Sequence, residues 1–462
     1  MRDQTEYRMG YIWRICMVAA MGGLLFGYDW VVIGGAKPFF ERYFQLITAS
    51  ERGWANSCAL VGCLLGAILS GGLSDKFGRK RLLLFAAFLF TVTSIGTGMA
   101  MAFSTFVCWR LLGGVAIGMA SGLSPIYIAE VSPARLRGMF VSVNQLTIIT
   151  GILVAQIVNY LIADPVPKGA TDLEIIQSWN GQMGWRWMFG VTAIPSFFFM
   201  VFMFAIPESP RWLAKNGKHD KARNILARIG GETYAAQALT DIENTLVGEI
   251  EKVDFRELLE PKMVKILLLG ITLAVFQQWC GINVIFNYAE EIFRAADYGV
   301  SDTLLNIVAT GAVCLVFTFV AIFTVDTLGR RALMLVGASG LAILYVLIGG
   351  SFHHGVTGTP VLILVLAAMA CYSCTLAPIV WVILSEIFPN RIRGAAMSVS
   401  VFALWTGCFI LTYTFPLLKE TFGIGNTFWI YAGICSAGFL YIFFRLPETK
   451  GKTLEQIERD LV

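Results

Sequence analysis

The sequence predicts an all-α membrane protein whose twelve transmembrane helices form two six-helix halves, and three observations predict it. The first is composition. Of 462 residues, 56% are hydrophobic and only 14% charged, with a mean hydropathy of +0.69, which excludes a soluble domain. The second is a series of apolar runs of roughly twenty residues, each long enough to cross a bilayer as a helix. They begin near Tyr11, Gly53, Leu82, Thr105, Met139, Gly184, Met263, Asp302, Ala332, Pro360, Ala395 and Asn426. Their glycines, prolines and polar residues, with no two-residue alternation, favour helices over a barrel. The third is duplication. GGLSDKFGRKR (71–81) returns as TVDTLGRRA (324–332), AEVSPARLRG (129–138) as SEIFPNRIRG (385–394), and PESPRWL (207–213) as PETKGKTL (447–454). These signatures fall at the ends of spans 2, 4 and 6 and again of spans 8, 10 and 12, so the halves are parallel repeats.

Charge sets the orientation. Lys76, Arg79, Lys80, Arg81, Arg135, Arg137, Arg330, Arg331, Arg391, Arg393, Lys450 and Lys452 all fall in alternate loops or the tail. Both termini are therefore expected in the cytoplasm. The expected organisation is a six-helix bundle over 1–207, a cytoplasmic linker over 208–260, a second bundle over 261–446 and a tail over 447–462. In the linker, KARNILARI and LTDIENTLVGEI mix charge with apolar residues, as short amphipathic helices do. Span 1 lacks an A-x-A-like cleavage site and holds Tyr28 and Asp29, so it is expected to stay as a helix and not to be removed as a signal.

Span 1 carries the first candidate. Counted from Tyr11, Asp29 lies about 27 Å up a straight helix, and an ionisable residue at that depth is functional by default when it has a partner. Arg110, which enters from the other side in span 4, reaches a similar depth. Two readings stay open: a static ion pair, or a carboxylate that releases Arg110 when protonated.

Span 7 carries the second. FQQWCGINVIFNY (276–288) places Gln277, Gln278, Asn283 and Asn287 in an apolar run. Buried amides cost free energy unless paired, and each offers both donor and acceptor atoms, which suits a neutral, hydroxyl-rich ligand. At about 100° per residue, Gln277, Asn283 and Asn287 share an arc of roughly 120° while Gln278 points elsewhere. Gly281 offers a break that would bring Gln278 round. The alternative is that these amides hold helices together.

Other chemistries are excluded or unsupported. The ten cysteines all lie in apolar runs and read as packing residues. Cys371 and Cys374 form a CxxC without a partner pair, so no metal is expected. His219 lies in a charged loop, and His353 and His354 lie between spans. No HExxH or GxSxG occurs, and no histidine lies within a span to act as ligand or base. The chain is therefore not expected to be an enzyme, to hold a cofactor or to bind nucleic acid. KGKT at 450–453 lacks the glycine of a phosphate loop, since Leu446 stands there, so no ATP site is implied.

With the loop signatures and the QQxxGIN of span 7 in register, the chain resembles the sugar porter family of the major facilitator superfamily, close in pattern to bacterial proton-coupled xylose symporters and animal glucose facilitators. The resemblance covers essentially the whole chain. It implies the major facilitator fold, monosaccharide transport by alternating access in a bacterial inner membrane, and a monomer. It also implies a midplane sugar site in which Gln145 of span 5, Gln277, Gln278 and Asn283 bond hydroxyls, Trp381 stacks on the ring, and Phe26 and Trp405 complete the wall, with Asn287 adding an amide. Asp29 and Arg110 would couple a proton, since the facilitators are neutral at the Asp29 position. A cytoplasmic latch would comprise Glu208, Arg211, Glu130, Arg137, Asp75, Arg79, Asp326, Arg330, Glu386 and Arg393.

The departures from the family pattern cluster at the same site. Asn287 precedes Tyr288 where a tyrosine pair is common, Cys314 and Cys408 stand where asparagines are usual, and Ala377 replaces a glycine. Ile152 stands where xylose symporters have a second glutamine, and Thr192 where they have a glutamate. Which monosaccharide is carried stays open among xylose, glucose, galactose, arabinose and fructose. A facilitative uniporter, and more remotely a sugar sensor that binds without transport, remain alternatives.

Overall fold

The computed structural model describes residues 7–167, 169–248, 260–388, 393–448 and Lys450, and nearly all of them are helical. Spans 1 to 6 are Met9–Tyr43, Ala49–Phe77, Arg79–Gly98, Phe103–Val131, Arg137–Ile162 and Asn180–Ala205, and spans 7 to 9 are Met263–Ala295, Val300–Leu328 and Arg330–His353. Span 10 is broken into Thr359–Cys374 and Leu376–Ile387. The last helix, Arg393–Arg445, is 53 residues long, about twice what a bilayer needs. At Gly423 its backbone turns to φ +78° and ψ 162°, so it supplies spans 11 and 12. Each span starts within a few residues of its expected position.

The described residues fall into two compact units. One takes in Met1–Trp30, Gly62–Gly151 and Phe189–Lys252, and the other Val31–Val61, Ile152–Met188 and Val253–Val462. In the first unit, glycines let backbones touch. A Cβ at Gly27 would lie 1.9 Å from the Ile148 carbonyl oxygen, and one at Gly151 2.1 Å from that of Leu24, so spans 1 and 5 cross at van der Waals contact of their main chains. Small residues serve this close approach between membrane helices.

The linker has the short helices expected of its amphipathic pattern. Pro210–Lys215 starts with the Ser209 hydroxyl accepting from the Trp212 N–H, an ordinary N-cap. His219–Gly248 follows, with non-helical backbone at Gly230 and Gly231. Trp212, Leu213, Ala214 and Ala222 form a small buried core with Ile225, Leu239 and Ile242 against it. The rest of the linker, the side chains of Asp326 and Arg393, and the tail beyond Lys450 lie outside the described residues.

Candidate functional site

Span 7 is broken where its sequence suggests. The helix Pro261–Trp279 ends, Gly281 adopts φ +88°, and a second helix runs Ile282–Ala295. Gly281 can take this left-handed backbone without strain. A Cβ there would also press on the Tyr431 ring at 3.0 Å. The break lets an amide chain form across it. Gln278 donates to the Gln277 Oε1 at 3.4 Å and accepts from the Asn283 amide, and the Asn287 amide donates to the Asn283 carbonyl at 3.0 Å. All four amides are less than 9% exposed.

The second break, in span 10, feeds the same chain. Thr375 has φ −126° and ψ −86°. Just past it, the Leu376 and Ala377 carbonyls accept from the Gln277 amide at 3.3 and 3.1 Å. One side chain thus ties span 7 to the first turn of the second half of span 10. Trp381, a turn further along, is 40% exposed, so its ring has a free face, whereas Trp405 is 5% exposed. Those six expected sugar contacts belong to one unit, and half-buried Gln145 and Phe26 belong to the other. Phe26 meets Trp30 edge to face at 5.9 Å.

Asp29 and Arg110 do meet, within the first unit. Arg110 Nη1 donates to both Asp29 oxygens at 2.9 Å. The two residues are 6% and 4% exposed. The guanidinium also lies over the Phe189 ring, 5.3 Å from its centre, while Arg110 Nε has no hydrogen-bond partner among the described residues. Asp29 is thus a compact, buried site with a single counter-charge among the described residues.

The basic loops are built alike in the two halves, in a way the sequence did not reveal. The Glu208 Oε1 accepts from the backbone N–H groups of Arg79 and Lys80, both at 3.0 Å. The Glu448 carboxylate accepts from those of Arg330 at 2.9 Å and Arg331 at 3.1 Å. Each glutamate therefore caps the N-terminus of a span, where free N–H groups and the helix dipole favour an anion. The glycines before them, Gly78 at φ +96° and Gly329 at φ +92°, make the turn. A Cβ would strike the Glu208 oxygen at 2.3 Å or the Glu448 oxygen at 2.8 Å.

Outside each cap, the arginine pairs with the acid at the end of span 4 or span 10. Arg79 Nε lies 3.1 Å from Glu130, and Arg330 Nη2 lies 3.2 Å from Glu386. Asp75 pairs with Arg79 at 3.1 Å and with Lys215 at 3.0 Å. Arg137 donates to the Ala129 carbonyl at 3.0 Å, and Arg211 is half-buried in the first linker helix. These interactions join helices of one unit. At Glu448, burial works to raise the carboxyl, and the N–H groups of Lys450, Arg330, Arg331 and Ala332 outweigh it, holding the group below the usual glutamate range.

Sequence reasoning missed Glu448 as a site residue, although the repeated PES and PET signatures contain the signal. It also missed a charge cluster of buried Lys37 and Glu290 with partly buried Glu41, Glu291 and Lys419, and buried Gln156 and Asn159 in span 5. Gln156 is 2% exposed, with its amide 3.5 Å from the Thr310 hydroxyl, and Asn159 donates to the Val32 carbonyl at 2.9 Å. Gln156 follows Gln145 by eleven residues, about three helical turns, so the two share a face that the spacing could have shown.

A family model described as "Sugar (and other) transporter" matches residues 15–461. The D-xylose-proton symporter of Escherichia coli (strain K12) is 37% identical over 98% of this chain and 96% of its own length. The arabinose-proton symporter of Bacillus subtilis (strain 168) is 38% identical over 98% and 96%. The inward-open structure of the E. coli xylose transporter superposes with a TM-score of 0.85 at 36% identity, covering 97% of this chain and 99% of that one. The chain therefore belongs to the sugar transporter family and has the major facilitator fold.

Proposed function

We propose that this protein imports a monosaccharide, a pentose or hexose such as xylose or glucose, together with a proton, by alternating access. The observation that carries the coupling is the isolated Asp29–Arg110 pair. A buried charge deprived of its partner is costly, about 3–5 kcal/mol, so protonation of Asp29 and release of Arg110 have leverage over the helices that hold them. The names of the xylose and arabinose relatives, both proton symporters, favour the same reading.

The sugar binds at the broken segment of span 7, where Gln277, Gln278, Asn283 and Asn287 exchange some of their mutual bonds for sugar hydroxyls. Trp381 stacks on the apolar face of the ring, and Gln145, Phe26 and Trp405 complete the site. The chain works as two bundles, 1–207 and 261–446, joined by the linker over 208–260. The protein is a monomer in the lipid bilayer of a bacterial inner membrane, with both termini in the cytoplasm. There Asp75, Arg79, Glu130, Arg137, Glu208, Arg211, Asp326, Arg330, Glu386 and Arg393 form the latch that holds the outward-facing state.

Uptake of labelled monosaccharides into proteoliposomes, with and without an inward proton gradient, tests this. Native protein is expected to accumulate sugar above equilibrium only with the gradient, and Asp29→Asn to equilibrate sugar without accumulating it. Equal final levels with and without the gradient would make the protein a facilitator and the ion pair structural.

A further inference from the structure

The charge cluster beyond Asp29 has no part in the sugar or proton chemistry above. Lys37 lies eight residues further along span 1, is fully buried, and pairs with Glu291 of span 7. Glu291 holds a lysine on each oxygen, Lys37 on Oε1 and Lys419 of span 11 on Oε2. Three segments far apart in the chain are thus tied to one carboxylate, all within the second unit. Glu41 lies 3.8 Å from the Lys37 ammonium and 4.0 Å from Arg52, and Glu290 lies 3.9 Å from Arg294. Next to this cluster, a cavity of about 730 Å³ is lined by Glu41, Arg42, Arg52, Asp172, Arg294 and Lys419.

The cluster also grips the segment that carries the sugar amides. Lys37 Nζ sits 4.0 Å from the centre of the Tyr288 ring, an attractive cation–π distance. Tyr288 in turn donates its hydroxyl to the Thr412 carbonyl of span 11 at 2.6 Å. Tyr288 and Glu291 belong to the helix Ile282–Ala295, beyond the Gly281 break, the same helix that carries Asn283 and Asn287. That break sets the segment apart from the first half of span 7, and a second non-helical residue within it, Tyr288 at φ −126° and ψ 21°, lies between the amides and Glu291. The far end of the segment is held to spans 1 and 11 by charge, not by packing alone.

We propose that Lys37, Glu291 and Lys419 form a charge lock that closes the outer path to the amide site and must part to admit sugar. This rests on the alternating-access reading above. A charge lock suits a gate because its members exchange one another for water on opening. Buried ion pairs and hydrated ions are near balance, so neither the closed nor the open state becomes a trap, whereas an apolar seal of the same extent would favour closure strongly.

The test is the outer-side KM and maximal rate of proton-driven uptake of D-xylose, L-arabinose and D-glucose by native protein, Lys37→Met and Lys37→Arg in oriented proteoliposomes. Lys37→Met removes one tie while Glu291 keeps Lys419. It is expected to favour the outward-open state, lowering both KM and maximal rate by about fivefold, the scale of ordinary conformational coupling. Lys37→Arg, which keeps the charge, is expected to stay close to native. An unchanged or raised KM in folded Lys37→Met would overturn the lock, because a purely structural defect reduces the rate alone. If Lys37→Met is not recovered folded, Lys419→Gln, at a side chain 31% exposed, takes its place with the same expected direction and the same overturning result. Native protein that moves none of these three sugars, nor D-galactose or D-fructose, would instead overturn the transport reading itself.

Discussion

Span 1 carries two buried charges eight residues apart, and their surroundings differ in a way that separates their tasks. Among the described residues Asp29 has one counter-charge, with both of its oxygens on a single guanidinium nitrogen. Lys37 belongs to a cluster in which Glu291 holds two lysines and Glu41 stands by. On the proposed reading, a proton on Asp29 would release Arg110, its one charged partner among the described residues. In the Lys37 cluster the charges are shared among several partners, an arrangement suited to being pulled apart mechanically. One region reads as a switch and the other as a fastener.

The largest expected effect tests the switch. Asp29→Asn removes the counter-charge that Arg110 has among the described residues, and accumulation of sugar is expected to vanish while exchange survives. A fall in thermal stability of about 3 kcal/mol accompanies it, read from melting in detergent. The fastener is expected to be asymmetric. Glu291→Gln leaves Lys37 and Lys419 side by side and is expected to destabilise by about 3 kcal/mol. Lys37→Met leaves an intact pair and an apolar isostere, and is expected to stay within about 1 kcal/mol of native. Equal losses for the two variants would mean that the cluster is not organised around Glu291.

Smaller effects belong to the duplicated corners. Glu208→Gln and Glu448→Gln each weaken a helix cap, and each is expected to cost about 1 kcal/mol. Unequal costs would show that the corners, alike in geometry, are unlike in load. The smallest effect is acid dependence. The Glu448 carboxyl is held below its ordinary value by backbone N–H groups, so its contribution is complete above the usual glutamate value, about 4.3. It is lost as pH falls through the lower folded value. Glu448→Gln is therefore expected to flatten this part of the acid-stability curve, measured by melting between about pH 3 and 6.

The features that proved legible in the sequence share a physical reason. Asp29 in an apolar run demanded a partner, and Arg110 of span 4 lay at a similar depth. Four amides near Gly281 demanded an interruption of the helix, and the backbone there turns to φ +88°. The repeated loops showed the duplication because glycine and charge recur at fixed offsets. The Lys37 cluster was harder to see, because its members stand toward the ends of apolar runs, where charges ordinarily reach water, and only the convergence of three distant segments buries them. The capping by Glu208 and Glu448 was hidden for another reason: the PES and PET signatures show that a glutamate recurs, but its partners are backbone N–H groups, which no residue identity names.

The most direct test of the switch is proton movement itself. Sugar added to lightly buffered proteoliposomes without any imposed gradient should draw protons in with it, alkalinising the outside, in native protein and not in Asp29→Asn. Sugar entry with no proton movement in native protein, or the same movement in both proteins, would contradict the assignment of coupling to Asp29.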